Sequence, residues 1–206
     1  MRIALTGVPS TGKTTIANSL RRSGFEIISL NELVEKKKLW SGVDEFGSKI
    51  VRMRKLEAEA NRILRGKKNC VVEGHLACEM KLKCDFAVVC RTAPDLLEKR
   101  LMKRGYPERK INENLMCEML DYCTILSLQN YKRVYEIETS KSVNESVKEV
   151  IRIMNGKGEN FRAGWVRWLG SCAQRGINRF NKVSGKSTLS GWLYSSTWSL
   201  LPRMSQ

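Results

Sequence analysis

Short runs of apolar residues alternate, along the first three quarters of the chain, with longer stretches in which apolar residues recur every three or four positions. The short runs predict buried β-strands over 3–5, 25–29, 70–72, 86–90 and 134–137. The longer stretches predict helices that begin after Lys13 and cover 30–39, 56–64, 94–104, 108–129 and 143–154, with a loop over 40–47. Strands and helices that alternate at this spacing predict an α/β fold with a parallel sheet and helices on both faces.

Ligands of such sheets bind beyond the carboxyl ends of the strands. Four residues of interest follow predicted strands and are therefore expected to converge at that edge: Gly7, Glu73, Arg91 and Lys141. The sheet edge at which they meet is the first place to look for a functional site.

The first strand is followed by Gly7-Val-Pro-Ser-Thr-Gly12-Lys13-Thr14 and then by a helix, which is the context that a phosphate-binding P-loop requires. Gly7 and Gly12 let the backbone turn its N–H groups towards an anion, and the helix start adds positive charge. Lys13 is expected to reach the β- and γ-phosphates, and the Thr14 hydroxyl to hold Mg²⁺. Since motif and context agree, binding of a nucleoside triphosphate is favoured over a glycine-rich turn without a ligand.

Glu73 and His75 lie directly after the strand 70–72. An acid at this place suits the magnesium ion and its waters, although an exposed loop acid would give the same pattern. His75 is the single histidine of the chain, and it would orient a water or a phosphate, or else serve a structural role.

Three arginines are candidates for the positive charge that phosphoryl transfer needs: Arg91, Arg100 and Arg104. Arg100 and Arg104 are four residues apart and share one helix face. Because Gly105 follows Arg104, this end of the helix suits a lid that closes over phosphates. The alternative is an ordinary solvated basic face.

The charge of the whole chain is +16, from 37 Lys and Arg against 21 Asp and Glu, which points to anionic partners such as nucleotides, RNA or an anionic membrane surface. Composition changes near Gly156. Residues 157–206 carry eight basic residues, one acid and four of the five tryptophans. We therefore expect a domain over 1–156 and a basic, Trp-rich extension over 157–206.

In that extension, apolar residues recur at helical spacing over 161–180, although three glycines weaken the helix prediction. Tryptophans with arginines suit an anionic membrane surface or RNA. Packing on the domain, or disorder, is equally compatible with this composition.

The seven cysteines include no C-x-x-C pair, which together with the single histidine argues against a zinc site. Their odd number, and the lack of a signal peptide, predict reduced thiols and a cytoplasmic protein. No stretch of about 20 apolar residues is present, so no transmembrane segment is expected.

The chain resembles the adenylate kinase isoenzyme 6 family, the atypical archaeal and eukaryotic adenylate kinases linked to maturation of the small ribosomal subunit. The resemblance spans about residues 1–155. It rests on the P-loop, Val72-Glu-Gly-His75, Arg91-Thr92, Arg100-Leu-Met-Lys-Arg-Gly-Tyr106 and Asn112-Glu-Asn-Leu-Met-Cys-Glu118. The P-loop alone is generic, and the other motifs in this order are more specific.

The resemblance implies a P-loop kinase fold with a parallel five-stranded sheet, Mg²⁺-dependent transfer of the ATP γ-phosphate to AMP, and a slower ATPase. It implies a partner among the ribosomal proteins or pre-rRNA of the small subunit. By position it puts the monophosphate region at about 29–52 and the lid at about 103–113, with Arg104 on ATP. The remaining nucleotide contacts would be Ser10, Gly12, Lys13, Thr14, Thr15 and, more loosely, Lys141 near the adenine.

Two departures from the family bear on the acceptor. Relatives carry Asp where this chain has Glu73, so the carboxylate here reaches one methylene further. Relatives also carry acids after the valine of Val51-Arg-Met-Arg-Lys-Leu56, where this chain has Arg52 and Arg54. Three hypotheses therefore stay open: an adenylate kinase, an RNA- or ribosome-associated ATPase switch, and a P-loop kinase for another small acceptor.

Overall fold

A computed structural model describes residues 1–44, 47 and 49–168 of the protein. The strands are β1 (Arg2–Thr6), β2 (Glu26–Ser29), β3 (Trp40–Val43), β4 (Lys49–Val51), β5 (Cys70–Glu73), β6 (Phe86–Arg91) and β7 (Val134–Glu138). The helices are α1 (Lys13–Arg22), α2 (Leu30–Lys37), α3 (Met53–Arg65), α4 (Pro94–Lys103), α5 (Glu108–Met119), α6 (Tyr122–Asn130) and α7 (Val143–Met154). Two 3₁₀ turns cover His75–Glu79 and Glu159–Phe161.

Five strands form one parallel sheet in the order β2-β5-β1-β6-β7, which confirms the predicted α/β fold. The three inner strands are apolar except at their ends, where the charged residues Arg2, Glu73 and Arg91 stand, and they are buried except at the half-buried Arg2, as expected of strands covered on both faces. One core layer packs Ile16, Leu20 and Val150 from α1 and α7 against the sheet, and the other packs side chains from α2, α3 and α4. In the register of the sheet, Leu5 lies beside Glu73 and Thr6 beside Val89, so β1 and β5 end within one residue of each other and β6 runs two residues further.

The predicted loop over 40–47 was wrong in part, because β3 and β4 pair there as an antiparallel hairpin with Trp40 opposite Val51. The ammonium group of Lys49 lies 3.8 Å from the ring centre of Trp40, a cation–π contact. The hairpin strands are half-buried or exposed, so they lack the apolar run by which the core strands are recognised.

The predicted helix over 108–129 is two helices, α5 and α6, separated at Leu120 and Asp121. Asp121 has a left-handed backbone with φ +55°, and its carboxylate pairs with the buried guanidinium of Arg91. A charged contact at the partly exposed edge of the core thus lies where the helix is interrupted, although the periodicity of the sequence continues through the break.

Residues Met1–Trp168 form one compact unit. After α7 the chain turns back along β7, where Ala163 N–H donates to the carbonyl oxygen of Val134 and Arg162 bridges to Tyr135. We call residues 162–168 the strap. The strap is not helical, so the helical pattern predicted from residue 161 does not hold over this part, and its continuation lies outside the described residues. Among the described helices, none combines the length and the apolar character needed to span a membrane.

Candidate active site

The P-loop connects β1 to α1 as a tight turn of the backbone. Gly7 has φ +135°, and a β-carbon there would collide with the carbonyl oxygen of Cys90 on β6, so no other residue fits. Ser10 and Gly12 also have positive φ, at 69° and 91°. The loop ends where Ile16 N–H donates to the carbonyl oxygen of Gly12, which starts α1 with its positive end at the loop.

Lys13 folds back across this loop. Its ammonium donates to the carbonyl oxygens of Gly7 and Val8, each at 2.8 Å, and the side chain is buried. Burial lowers the pKa of Lys13 from its ordinary value because the charged form is poorly solvated there. A phosphate beside the ammonium would supply the counter-charge that the two neutral carbonyl groups do not.

The buried hydroxyl of Ser10 has no hydrogen-bond partner within the described part of the chain. Buried polar atoms are nearly always paired, so an orphan atom in a loop shaped for an anion indicates a ligand contact. This observation fits a phosphate group in the loop.

The Thr14 hydroxyl lies 3.3 and 3.5 Å from the two carboxylate oxygens of Glu73 at the end of β5. These distances exceed the roughly 2.5–3.0 Å of a close hydroxyl–carboxylate bond, so the two groups face each other without closing on each other. An alcohol and a carboxylate are the oxygen ligands that Mg²⁺ prefers, either directly or through its waters. When bound there, Mg²⁺ would neutralise charge on the phosphates.

His75 begins the 3₁₀ turn that follows β5, and its carbonyl oxygen accepts a hydrogen bond from the Thr6 hydroxyl at 3.1 Å. Burial, with the charges of Lys13 and Lys110 nearby, lowers the pKa of His75 to about 4. The imidazole is therefore neutral at pH 7, and it suits orientation of a water or phosphate by hydrogen bonds more than by charge.

Arg100 reaches the P-loop from α4. One of its terminal nitrogens lies 3.5 Å from the carbonyl oxygen of Ser10 and 3.4 Å from the Thr92 hydroxyl, and the other donates to the carbonyl oxygen of Thr139 at 2.9 Å. The half-buried guanidinium is held beside the loop with N–H groups to spare for an anion.

The other residues predicted for the nucleotide lie on the surface. Thr15 is exposed in the first turn of α1, and Lys141 is exposed just before α7. Arg104 is exposed at the end of α4, beside Gly105 with φ +71°, where the predicted lid over 103–113 begins. The structure thus places Arg104 at an exposed turn at the end of α4 and not in the P-loop itself.

The position of the Arg91 side chain argues against the catalytic role expected of it. Its guanidinium is 1% exposed and pairs with Glu118, Asp121 and Glu136, and it also contacts the Thr124 hydroxyl. Every terminal nitrogen is engaged inside the core, so contact with a phosphoryl group would require this network to break. Arg91 instead fastens the junction of α5 and α6 to the sheet.

Sequence reasoning missed Thr92 and Thr139, whose hydroxyl oxygens lie 2.6 Å apart and which together hold Arg100. Both residues directly follow strands of the sheet, β6 and β7. The rule that singled out Glu73 would have found them as well, had it been applied to hydroxyl side chains. The charge of Lys110 acts on His75, but Lys110 does not follow a strand, so this rule would not have found it.

The chain is similar to known proteins over most of its described length. Residues 3–121 match the family model described as AAA domain. A protein of Methanocaldococcus jannaschii, named "Putative adenylate kinase", is 38% identical over 82% of this chain and 93% of its own. Proteins of the same name from Methanothermobacter thermautotrophicus and Archaeoglobus fulgidus are 37% and 38% identical over 80% and 85% of this chain, and over 98% and 96% of their own.

Solved structures show the same fold. Shikimate kinase from Aquifex aeolicus superposes with a TM-score of 0.52 at 23% identity, over 76% of this chain and 97% of its own. Deoxyadenosine kinase from M. mycoides superposes with a TM-score of 0.53 at 14% identity, over 76% of this chain and 100% of its own. The chain therefore belongs to the family of P-loop nucleotide kinases that the archaeal proteins represent.

Proposed function

We propose that the protein catalyses Mg²⁺-dependent transfer of the γ-phosphate of ATP to AMP, giving two molecules of ADP. The observation that carries this proposal is the meeting of Lys13, Thr14 and Glu73 at the carboxyl edge of the sheet. The names of the archaeal relatives supply the nucleotide class.

In this proposal the P-loop backbone, Ser10 and Lys13 bind the phosphates of ATP. Thr14 and Glu73 hold the metal and orient its waters, and Arg100 neutralises charge on the transferring group. Phosphoryl transfer needs positioning and positive charge more than covalent help, which is the kind of assistance these residues offer. His75, neutral at pH 7, orients a water or the acceptor phosphate.

The region over 29–52 would bind the monophosphate. It contains Ser29, whose hydroxyl accepts a hydrogen bond from Glu32 N–H and so caps α2, and the β3–β4 hairpin. Arg104 would close over ATP when the lid over 103–113 moves, since water must be kept from the phosphoryl group.

The test is ADP formation from ATP and Mg²⁺ by the full chain, with and without AMP. Lys13→Ala serves as the inactive control and Lys99→Ala, an exposed lysine of α4, as the matched control. Strong stimulation by AMP that Lys13→Ala abolishes and Lys99→Ala retains supports the proposal. Equal ADP formation without AMP, in the same preparation, contradicts it.

A different acceptor is the nearest alternative, because Arg52 and Arg54 are exposed at the start of α3, directly after the hairpin. Two cations at that place suit an acceptor with more negative charge than AMP. A panel of nucleoside monophosphates and other small phosphate acceptors, compared between the wild type and Arg52→Ala, separates the two cases.

An ATPase that works on RNA or a small-subunit ribosomal protein is a candidate from another class. The stretch 36–68, which contains α3 and the hairpin, carries eleven Lys or Arg and four acids, and such a surface suits a phosphate backbone. Turnover that rises with RNA and not with AMP, together with RNA binding that weakens steeply with salt, would favour this role.

A further inference from the structure

The strap is fastened to two buried carboxylates. Trp168 donates its indole N–H to Glu118 Oε1 at 2.8 Å. Gly164 N–H and Val166 N–H both donate to Glu136 Oε2, at 2.9 and 3.2 Å. The indole N–H of Trp165 donates instead to the backbone carbonyl oxygen of Glu136, at 2.9 Å.

These two carboxylates are the partners of Arg91. Glu118 Oε1 accepts from Arg91 Nε at 2.8 Å, from Thr92 N–H at 3.1 Å and from Trp168, so three donors share one oxygen atom. In a buried site such hydrogen bonds to a charged group are strong, and loss of one shifts the others. Thr92 and Trp168 therefore share one acceptor atom, Glu118 Oε1.

Thr92 in turn leads to the P-loop. Its hydroxyl oxygen lies 2.6 Å from the Thr139 hydroxyl and 3.4 Å from Arg100, and Arg100 also contacts the carbonyl oxygens of Thr139 and Ser10. Polar contacts thus connect Trp168 through Glu118, Thr92 and Arg100 to the phosphate loop, and the longest of them are those of Arg100 with the Thr92 hydroxyl at 3.4 Å and with the Ser10 carbonyl oxygen at 3.5 Å.

We propose that Trp168 is a positioning residue of the nucleotide site, which sets the place of Arg100 through Glu118 and Thr92. The inference rests on the proposed function, because it takes Arg100 to meet the phosphates of ATP.

The test measures affinity for a non-hydrolysable ATP analogue with Mg²⁺, by calorimetry on the full chain, well below the unfolding temperature. Trp168→Phe keeps an aromatic ring, although a smaller one than indole, and removes the N–H donor. We expect it to weaken binding about threefold or more, which is a fraction of the roughly tenfold or greater effect of losing a hydrogen bond to a charged group directly, because Trp168 acts on the phosphates only through other residues. Trp165→Phe makes the same chemical change in the same strap, outside the series that leads to Arg100, and should bind like the wild type.

The decisive comparison is a double-mutant cycle with Arg100→Ala. If Trp168 acts through Arg100, Trp168→Phe should have no further effect once Arg100 is Ala. The same loss of effect is expected in Thr92→Val, which interrupts the series without touching the strap. This second cycle keeps the test valid should Arg100→Ala fail to fold.

Trp168→Phe that weakens analogue binding equally in the wild-type, Arg100→Ala and Thr92→Val backgrounds would overturn the inference. Equal effects of Trp165→Phe and Trp168→Phe on that binding would also overturn it. A wild-type chain that binds the analogue, with Trp168→Phe binding equally well, overturns this inference alone. A wild-type chain that does not bind the analogue overturns the proposed function, and this inference with it.

Discussion

The Thr14 hydroxyl lies 3.3 Å from the nearer carboxylate oxygen of Glu73, although 59 positions separate the two residues in the sequence. Thr14 stands in the first turn of α1, and Glu73 ends β5, the neighbour of β1 in the sheet. Because the strands are parallel and in register, the ends of β1 and β5 bring the hydroxyl and the carboxylate to one place. This pair is the centre of the proposed metal site.

Replacement of that carboxylate should impair metal use. Glu73→Gln keeps the length of the side chain and its acceptor oxygen but removes the charge. We expect activity to fall on the order of 10–100-fold at fixed Mg²⁺, with a higher Mg²⁺ concentration needed for half-maximal rate. A Mg²⁺ titration of ADP formation measures both quantities.

Glu73→Asp is the control for that change, since it keeps the charge and shortens the reach by one methylene. It should recover most of the Mg²⁺ dependence. An unchanged Mg²⁺ requirement in Glu73→Gln would remove Glu73 from the metal site.

The P-loop turn should not tolerate a side chain at Gly7. In Gly7→Ala the added β-carbon meets the carbonyl oxygen of Cys90 at φ +135°, which we expect to cost about 1–3 kcal/mol of stability and to abolish ATP binding. Gly66→Ala is the matched control, because Gly66 has φ −89° and its nearest atom would be 3.9 Å away. Urea unfolding and nucleotide titration of both variants make the comparison, and equal behaviour would contradict the clash.

The fold and the centre of the site were predictable because their signals are local. Apolar runs mark the sheet strands, and the P-loop motif marks Lys13 and Thr14, while the position after a strand marks Glu73. The break at Asp121 was not predictable, because it depends on a pairing with Arg91, 30 positions away. The same contact explains why the guanidinium of Arg91 lies in the core and not beside the P-loop, since position after a strand does not reveal which way a side chain turns.

The strap shows a second limit of the sequence. Trp165 and Trp168 were expected to meet an outside partner or to pack on the domain, and their indole N–H groups bind Glu136 and Glu118 within the same unit. Composition showed that this segment differs from the rest but could not show that its donors match buried acceptors. Such matching depends on three-dimensional contacts between residues about 30 to 50 positions apart.

The stability of the protein should depend on pH through His75. Its pKa is lowered to about 4 in the folded state, so between pH 6.5 and 4 the unfolded chain binds more protons. The contribution of His75 to stability is therefore lost as pH falls through this window, by about 1–3 kcal/mol for this half-buried group. His75→Asn should show less of this loss, which urea unfolding at pH 7, 5.5 and 4.5 measures.

Within the same pH window, Glu79 should change the stability in the direction opposite to His75. Burial raises the pKa of Glu79 to about 7, so the folded state binds more protons there and stability is lost as pH rises. Glu79→Gln should therefore reduce the loss of stability that occurs as pH rises through this window. A wild-type profile that His75→Asn leaves unchanged would show that the imidazole is not held neutral.

Arg104 should matter for catalysis and not for stability. It is exposed at the end of α4, so Arg104→Ala should leave the unfolding free energy within about 0.5 kcal/mol of the wild type. If the lid brings its guanidinium onto ATP, kcat should fall on the order of tenfold to a hundredfold. Lys103→Ala, an exposed neighbour, is the matched control and should retain kcat; equal losses would indicate a general charge effect instead.

Arg91 should matter for stability and not for catalysis, because its charge is paired with carboxylates inside the core. Arg91→Ala would leave Glu118 and Glu136 buried without their cation, which is expected to cost about 3–5 kcal/mol of unfolding free energy. Arg91→Lys should rescue little, since one ammonium cannot reproduce contacts that a planar guanidinium makes with three carboxylates. Urea unfolding measures the loss, and ADP formation per folded molecule, at a temperature where the variant is folded, separates structure from chemistry. A stable Arg91→Lys protein with kcat reduced a thousandfold would restore the catalytic role that the buried network argues against.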